Sequence, residues 1–245
     1  MIPLELLNAE LAWAAAIGAI AATVRGFAGV GSGFIMIPLF SFLFGPAEAI
    51  VIVAILDGFG SAQLLPWALP RTNWKLVSQV AVATVVMMPI GVWALLSVDK
   101  ETARRIVGVV VIVSTLVIAS GWRLTSGTTP ARSLGIGGLA GLLMGGTGMG
   151  GPPVIVYFLA TSESSEAIRA NVISYFLLVV FFIVLAFTWS GVVTEQTLWQ
   201  TAFLTPPFLA FLWFGSRLYP LASDRTFRIV AYTLMLLSGA IAIVG

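Results

Sequence analysis

Apolar residues in this chain come as long runs, with polar residues set between them as short punctuation. The runs cover 9–24, 34–44, 47–67, 76–97, 106–120, 134–144, 153–160, 167–189, 198–217 and 227–244. Several approach or exceed the roughly 20 residues that carry a helix across a bilayer core, while the shortest reach about half that height. The punctuation falls at Gly45-Pro46, 71–75, 99–105, 123–132 and 161–166. This pattern predicts an all-α integral membrane protein with about 8–10 membrane segments.

Two stretches break the pattern in the same way. Residues 26–40 read GFAGVGSGFIMIPLF and residues 141–158 read GLLMGGTGMGGPPVIVYF, each a glycine cluster followed by proline and another apolar run. The whole span 9–45 is too long for one straight crossing at about 1.5 Å per residue. Each glycine cluster therefore reads as a broken helix or a re-entrant pair, with backbone polar groups left free.

The breaks belong to a repeat. Gly29 to Gly33 aligns with Gly146 to Gly150, and Glu48-Ala49-Ile50 with Glu166-Ala167-Ile168. Pro89 has a counterpart in Pro206-Pro207, and 101–107 (ETARRIV) resembles 224–230 (DRTFRIV). The expected organisation is a first half over 1–122, a linker over 123–132 and a second half over 133–245. Each half would hold one glycine-broken pair and three further transmembrane helices.

If each broken pair crosses once, the halves are parallel; if each returns to its own side or crosses twice, they are inverted. The inverted arrangement is preferred. It gathers Arg71, Lys75, Arg123, Arg132, Arg169, Arg217, Arg225 and Arg228 on one side, against Lys100, Arg104 and Arg105 on the other. Glu5 and Glu10 stand where a cleaved signal would be basic, so the N-terminal run reads as a retained helix.

Composition narrows the chemistry. The chain of 245 residues is 59% hydrophobic and 9% charged, against roughly a quarter charged in soluble domains. Its net charge of +2 comes from scattered basic residues, not from a nucleic-acid footprint. Cysteine and histidine are both absent, which removes disulfides, thiolate chemistry and the commonest general base and metal ligand. No cofactor or metal is expected, and no enzyme. Neither Lys75 nor Lys100 sits in a Walker A loop, so transport would not be driven by ATP. The Gly146-x-Gly148-x-x-Gly151 spacing fits a dinucleotide fingerprint but lacks the strand that must precede it.

With these two motifs and their duplication, the chain resembles the sulfite exporter TauE/SafE family of bacterial membrane proteins over essentially its whole length. The resemblance implies a multi-pass carrier in the inner membrane for a small sulfur-containing or organic anion, of the sulfite, sulfonate or sulfoacetate class.

The residues offer a site for such an anion. Glycine-rich breaks expose helix N-termini, whose free N–H groups and positive dipole suit an oxyanion. The expected site sets Gly29, Gly31 and Gly33 against Gly146, Gly148 and Gly150, with Ser32 and Thr147 adding hydroxyls. The plainer alternative is close helix packing, since Gly29/Gly33 and Gly137/Gly141/Gly145 have small-xxx-small spacing. Arg25, directly before the first cluster, would supply fixed positive charge; otherwise it snorkels to head groups. Asp57 is the acid set well inside an apolar run, and such acids are proton or cation relays by default. Its alternative is a structural acid, paired with Arg25 or capping a neighbouring break. Asn171, Ser174 and Tyr175 are neutral donors for the ligand or, otherwise, interhelical hydrogen bonds. Prolines shape the breaks and serve as hinges, and the eight tryptophans form an interfacial belt beside lipid. The function expected is secondary transport by alternating access, coupled to protons or driven by the membrane potential. An anion channel with a glycine-lined pore is the alternative.

Overall fold

The computed structural model describes residues 8–28, 31–62, 64–121, 129–161, 163–218 and 224–244. Among these are eleven α-helices and no strand. They are α1 (Ala9–Ala28), α2 (Ser32–Leu43), α3 (Pro46–Ala62), α4 (Leu65–Ala68), α5 (Trp74–Leu96), α6 (Lys100–Ala119), α7 (Pro130–Thr147), α8 (Gly151–Leu159), α9 (Ser165–Trp189), α10 (Glu195–Leu218) and α11 (Asp224–Val244). This is the all-α membrane architecture that the apolar runs predict. Three helices are individually long and apolar enough to cross a bilayer, over Trp74–Leu96, Lys100–Ala119 and Glu166–Trp189. A fourth span is α3 joined to α4 and the 3₁₀ turn Leu69–Arg71, bent by 61°. Counting apolar runs gives more segments because it ignores dilution. Glycine thins the apolar character of α7, and threonine and proline thin that of α10. Helix α7 also begins earlier than its apolar run, at Pro130, because the Thr129 hydroxyl accepts a hydrogen bond from Arg132 N and caps it.

Both glycine clusters fold as antiparallel hairpins. In the first, Arg25 at the end of α1 bonds Ser32 at the start of α2, and Gly18 faces Met36. In the second, Gly150 packs on Ala140 and Met144, and the Tyr157 hydroxyl meets that of Ser133 at 2.8 Å. The return arms are short. With 12 residues in α2 and 9 in α8, they are about 18 and 13 Å long, roughly half of a 30 Å core. Gly148 makes the second reversal at φ 72°, its N–H bonding Met144 O at 2.9 Å, while Met149 N reaches back to Leu143 O. A left-handed residue is where glycine costs least.

The hairpins open towards opposite ends of the bundle. Helix α2 ends beside the start of α6, where Arg104 lies 4.1 Å over the Phe42 ring and Lys100 approaches Gly45. Helix α8 ends beside the starts of α5 and α9, where Asn73 N bonds Asn171 Oδ1 at 2.7 Å. We call these the Lys100 face and the Arg71 face.

Glycine lets two helix pairs touch backbone to backbone. A Cβ on Gly137, Gly141 or Gly145 of α7 would lie 2.4, 2.3 or 2.2 Å from the carbonyl oxygen of Val80, Thr84 or Met88 on α5. The four-residue step on both helices makes them parallel and in register. Gly91 completes the seam, its position closed by Leu142 O at 2.3 Å. The α1–α10 pair repeats this geometry, with Gly26 against Leu212 O at 2.2 Å and Gly215 against Thr23 O at 2.3 Å. In lipid, where apolar burial does not drive helices together, such close approach supplies the adhesion. Small-xxx-small packing is thus the role of Gly137, Gly141 and Gly145.

Gly145→Val should cost about 1–3 kcal/mol through overpacking against Met88 O. Gly146→Ala, whose Cβ would sit 3.5 Å from Gly91 O, should leave stability unchanged. Melting temperatures of the two variants in detergent check the contrast.

Candidate functional site

At the first break, three helices bring polar groups to one point. Arg25 lies in the last turn of α1, Ser32 begins α2, and Asp57 and Ser61 stand one turn apart on α3. Arg25 Nη1 forms an ion pair with Asp57 Oδ1. Arg25 Nη2 donates to Ser61 Oγ at 2.6 Å and to the Asp57 carbonyl at 3.1 Å. The Ser32 hydroxyl donates to Asp57 Oδ1 at 2.6 Å and accepts from Arg25 Nη1 at 3.3 Å. The Arg25 side chain is 12% exposed and that of Asp57 25%.

The depth of this cluster follows from helix length. Ser32 starts a 12-residue helix, and Asp57 lies the same number of positions into α3. Both are therefore about 17 Å along their helices from the α2–α3 junction at Gly45, inside the bundle. An unpaired charge there is costly, so the pair is held by mutual attraction and added hydrogen bonds. Both Nη nitrogens of Arg25 turn to α2 and α3 rather than to head groups.

Glycines pack beside the pair. A Cβ at Gly33 would meet Ile37, Val53 and Asp57 Oδ2 at 3.7, 3.8 and 3.9 Å, and one at Gly60 would lie 3.0 Å from Leu212 Cδ2 and 3.7 Å from Arg25 Cζ. Gly31, at φ 114°, turns the chain into α2 against the Met235 side chain. Gly29 lies outside the described residues. Ser61 was not singled out from the sequence, although its i, i+4 spacing from Asp57 is the signal that finds it.

The second break meets the first half through aliphatic groups. A Cβ on Gly148 would lie 2.6 Å from Ile37 Cδ1 and 3.2 Å from Ile50 Cγ1, one turn along α2 from Gly33. Gly150 is packed on its own helix partner, and Gly146 faces Gly91. The Thr147 hydroxyl donates to Leu143 O at 2.7 Å and accepts from Met149 N at 3.3 Å. Asn171 and Tyr175 are committed elsewhere. Asn171 bonds Asn73 N and Glu163 Oε2, and its neighbour Ser174 meets the Thr72 hydroxyl at 2.7 Å. Tyr175 OH lies 3.0 Å from the Thr84 hydroxyl. The Asn171 and Ser174 contacts tie the start of α5 to the start of α9 on the Arg71 face, and Tyr175–Thr84 joins the two helices at mid-length. Of the predicted residues, the structure joins Arg25, Ser32 and Asp57 directly and places Gly33 at their edge.

A groove of about 670 Å³ runs between α5 and α9, with Pro89, Trp93, Phe182 and Trp189 among its lining. It contains no charged side chain, so it offers an anion nothing.

A family model described as sulfite exporter TauE/SafE matches residues 14–241, which takes in both breaks and the Arg25 cluster. The chain belongs to this family. No curated protein and no solved structure matches it. TauE/SafE proteins are membrane exporters of sulfite and related anions. In the first break, the largely enclosed guanidinium of Arg25 is a planar, multi-donor group of the kind that pairs with oxyanions.

Removing either member of the pair leaves the other as an uncompensated buried charge, which costs about 3–5 kcal/mol. Arg25→Gln and Asp57→Asn should each lower the unfolding midpoint, and the double variant should recover much of the loss. A double-mutant cycle on the purified protein reads this coupling.

Proposed function

We propose that this TauE/SafE protein is a secondary carrier. It moves a small sulfur-containing or organic anion across the bacterial inner membrane by alternating access, and Arg25 holds the anion. The observation that carries this reading is the guanidinium at a helix break inside the bundle, with Ser32 and Ser61 hydroxyls beside it. Transporter sites are built at such broken helices.

The arrangement of helices supports two inverted halves. The hairpins open to opposite faces, and the glycine seams pair the first helix of each half with the third long helix of the other. Gly26 and Gly145 make the same contacts 119 positions apart, and Gly91 and Gly215 do so 124 positions apart. Both separations lie close to the 117 to 123 positions that relate the sequence repeats. Under the positive-inside rule the Arg71 face, with Lys75, Arg132, Arg169 and Arg217, is cytoplasmic. Pro89, Pro206 and Pro207, inside α5 and α10, are the hinges on which the seamed pairs rock. We assign the second glycine cluster to that motion. Gly146, Thr147, Gly148 and Gly150 let α7 and α8 close against Ile37 and Ile50, with the anion held on the Arg25 side. Asp57 is the proton-carrying group.

Reconstituted in liposomes, the protein should show saturable flux of sulfite or a simple sulfonate, accelerated by the same anion on the opposite side. Arg25→Gln should reduce flux about 10–100-fold, the worth of a charge-assisted hydrogen bond pair. Flux that neither saturates nor shows counterflow would establish a channel instead.

A further inference from the structure

The carboxylate of Asp57 occupies the place an anionic cargo would take. Its Oδ1 receives both the Arg25 Nη1 ion pair and the Ser32 hydroxyl at 2.6 Å. Nη2 is held by Ser61 Oγ and the Asp57 carbonyl. An oxyanion that bound Arg25 would therefore compete with Asp57 for Nη1 and for the Ser32 hydroxyl.

Charge then decides what can bind. Among the described residues, α2 carries no ionisable side chain. Among the described residues, no ionisable group of the other helices packed on α3 bonds to the cluster. These groups are Glu10 at the start of α1, and Lys100, Glu101, Arg104 and Arg105 at the start of α6. On α9 they are Glu166, Arg169 and Tyr175; on α10, Glu195 and Arg217. Arg169 sits over Trp67 and Tyr175 is bonded to Thr84; Arg217, which follows the turn that packs on Gly26, sits over Trp213. On α3 itself, Glu48 lies in the first turn, at the opposite end from Ser61. At the α3 contacts with α9 and α10, Gly58 faces Val180 and Gly60 faces Leu212. The Arg25–Asp57 pair is thus neutral, with no third charge bonded to it. A monoanion added alone would leave one uncompensated negative charge in a low-dielectric site, at a cost of several kcal/mol. A monoanion added with one proton leaves none.

We propose that Asp57 is a resident stand-in for the cargo. One monoanion and one proton bind together, the proton going to the Asp57 carboxylate and the anion taking its place on Arg25, Ser32 and Ser61. This rests on the reading of Arg25 as the anion's partner and adds two things to it. The cargo class is a monoanion (bisulfite, a monosulfonate or a monocarboxylate), with dianions such as sulfate or sulfoacetate disfavoured. The cargo and the proton also travel as a neutral pair.

The test is calorimetry on the purified full-length protein with methanesulfonate, bisulfite, acetate, sulfate and sulfoacetate. Titrations are run in buffers of different ionisation enthalpy and across pH, on the wild type, Arg25→Gln and Asp57→Asn. The expected result is uptake of one proton per monoanion bound, with affinity rising about tenfold per unit fall in pH where that proton must come from solvent. Sulfate and sulfoacetate should bind at least tenfold more weakly than methanesulfonate. Asp57→Asn should bind the monoanion without pH dependence and be stabilised by it. The wild-type proton count stands even if that variant fails to fold. Binding that Arg25→Gln abolishes, but that takes up no proton and does not discriminate against sulfate, overturns this inference and leaves the carrier reading intact. No binding by any of the five anions, or binding unchanged in Arg25→Gln, overturns both.

Discussion

A guanidinium turned into the interior of a helix bundle must be answered by the protein, and the local structure around Arg25 is shaped by that need. Each unpaired donor there is expensive. The chain meets the demand with three elements. The end of α1 brings the cation, α3 brings a carboxylate, its own carbonyl and Ser61, and α2 begins at that point with a hydroxyl. The break between α1 and α2 is what allows this, since an unbroken helix would carry Ser32 past the cluster. Removing a turn of helix thus creates a site, and the polar groups that collect there make the break stable.

The same economy governs the scaffold. Where helices meet without an aqueous driving force, their attraction comes from close surfaces. The seams at Gly137, Gly141, Gly145 and Gly91, and at Gly26 and Gly215, place backbone on backbone. So close a fit resists sliding of the paired helices past one another.

Much of this was legible in the sequence because membrane helices write themselves as apolar runs and their breaks as glycine and proline. The two hairpins, the long helices and the polar groups Arg25, Ser32 and Asp57 set among apolar runs could be read from composition and position alone. What could not be decided was pairing in space. Arg25 and Asp57 are separated by a hairpin and most of a helix; their pairing was the alternative to a relay role, and the fold makes it. Asn171 and Tyr175 look like ligand donors in one dimension, yet Asn73 and Thr84 claim them. The second glycine cluster matches the first in spelling but faces Ile37 and Ile50, because a glycine motif records that something comes close without recording what.

Gly26 and Gly145 occupy equivalent contacts on their partner helices, so the residues just before them can be set side by side. One hairpin carries Arg25 there; the other carries Met144, buried and apolar. The seam contacts repeat between the two halves, while the electrostatics are one-sided. If Arg25 holds the anion as proposed, a body with one off-axis ion pair would have one seat, reached through unlike walls from the two faces of the membrane. Its half-saturating concentrations inside and outside would then be set by different side chains, and selection could tune one without disturbing the other.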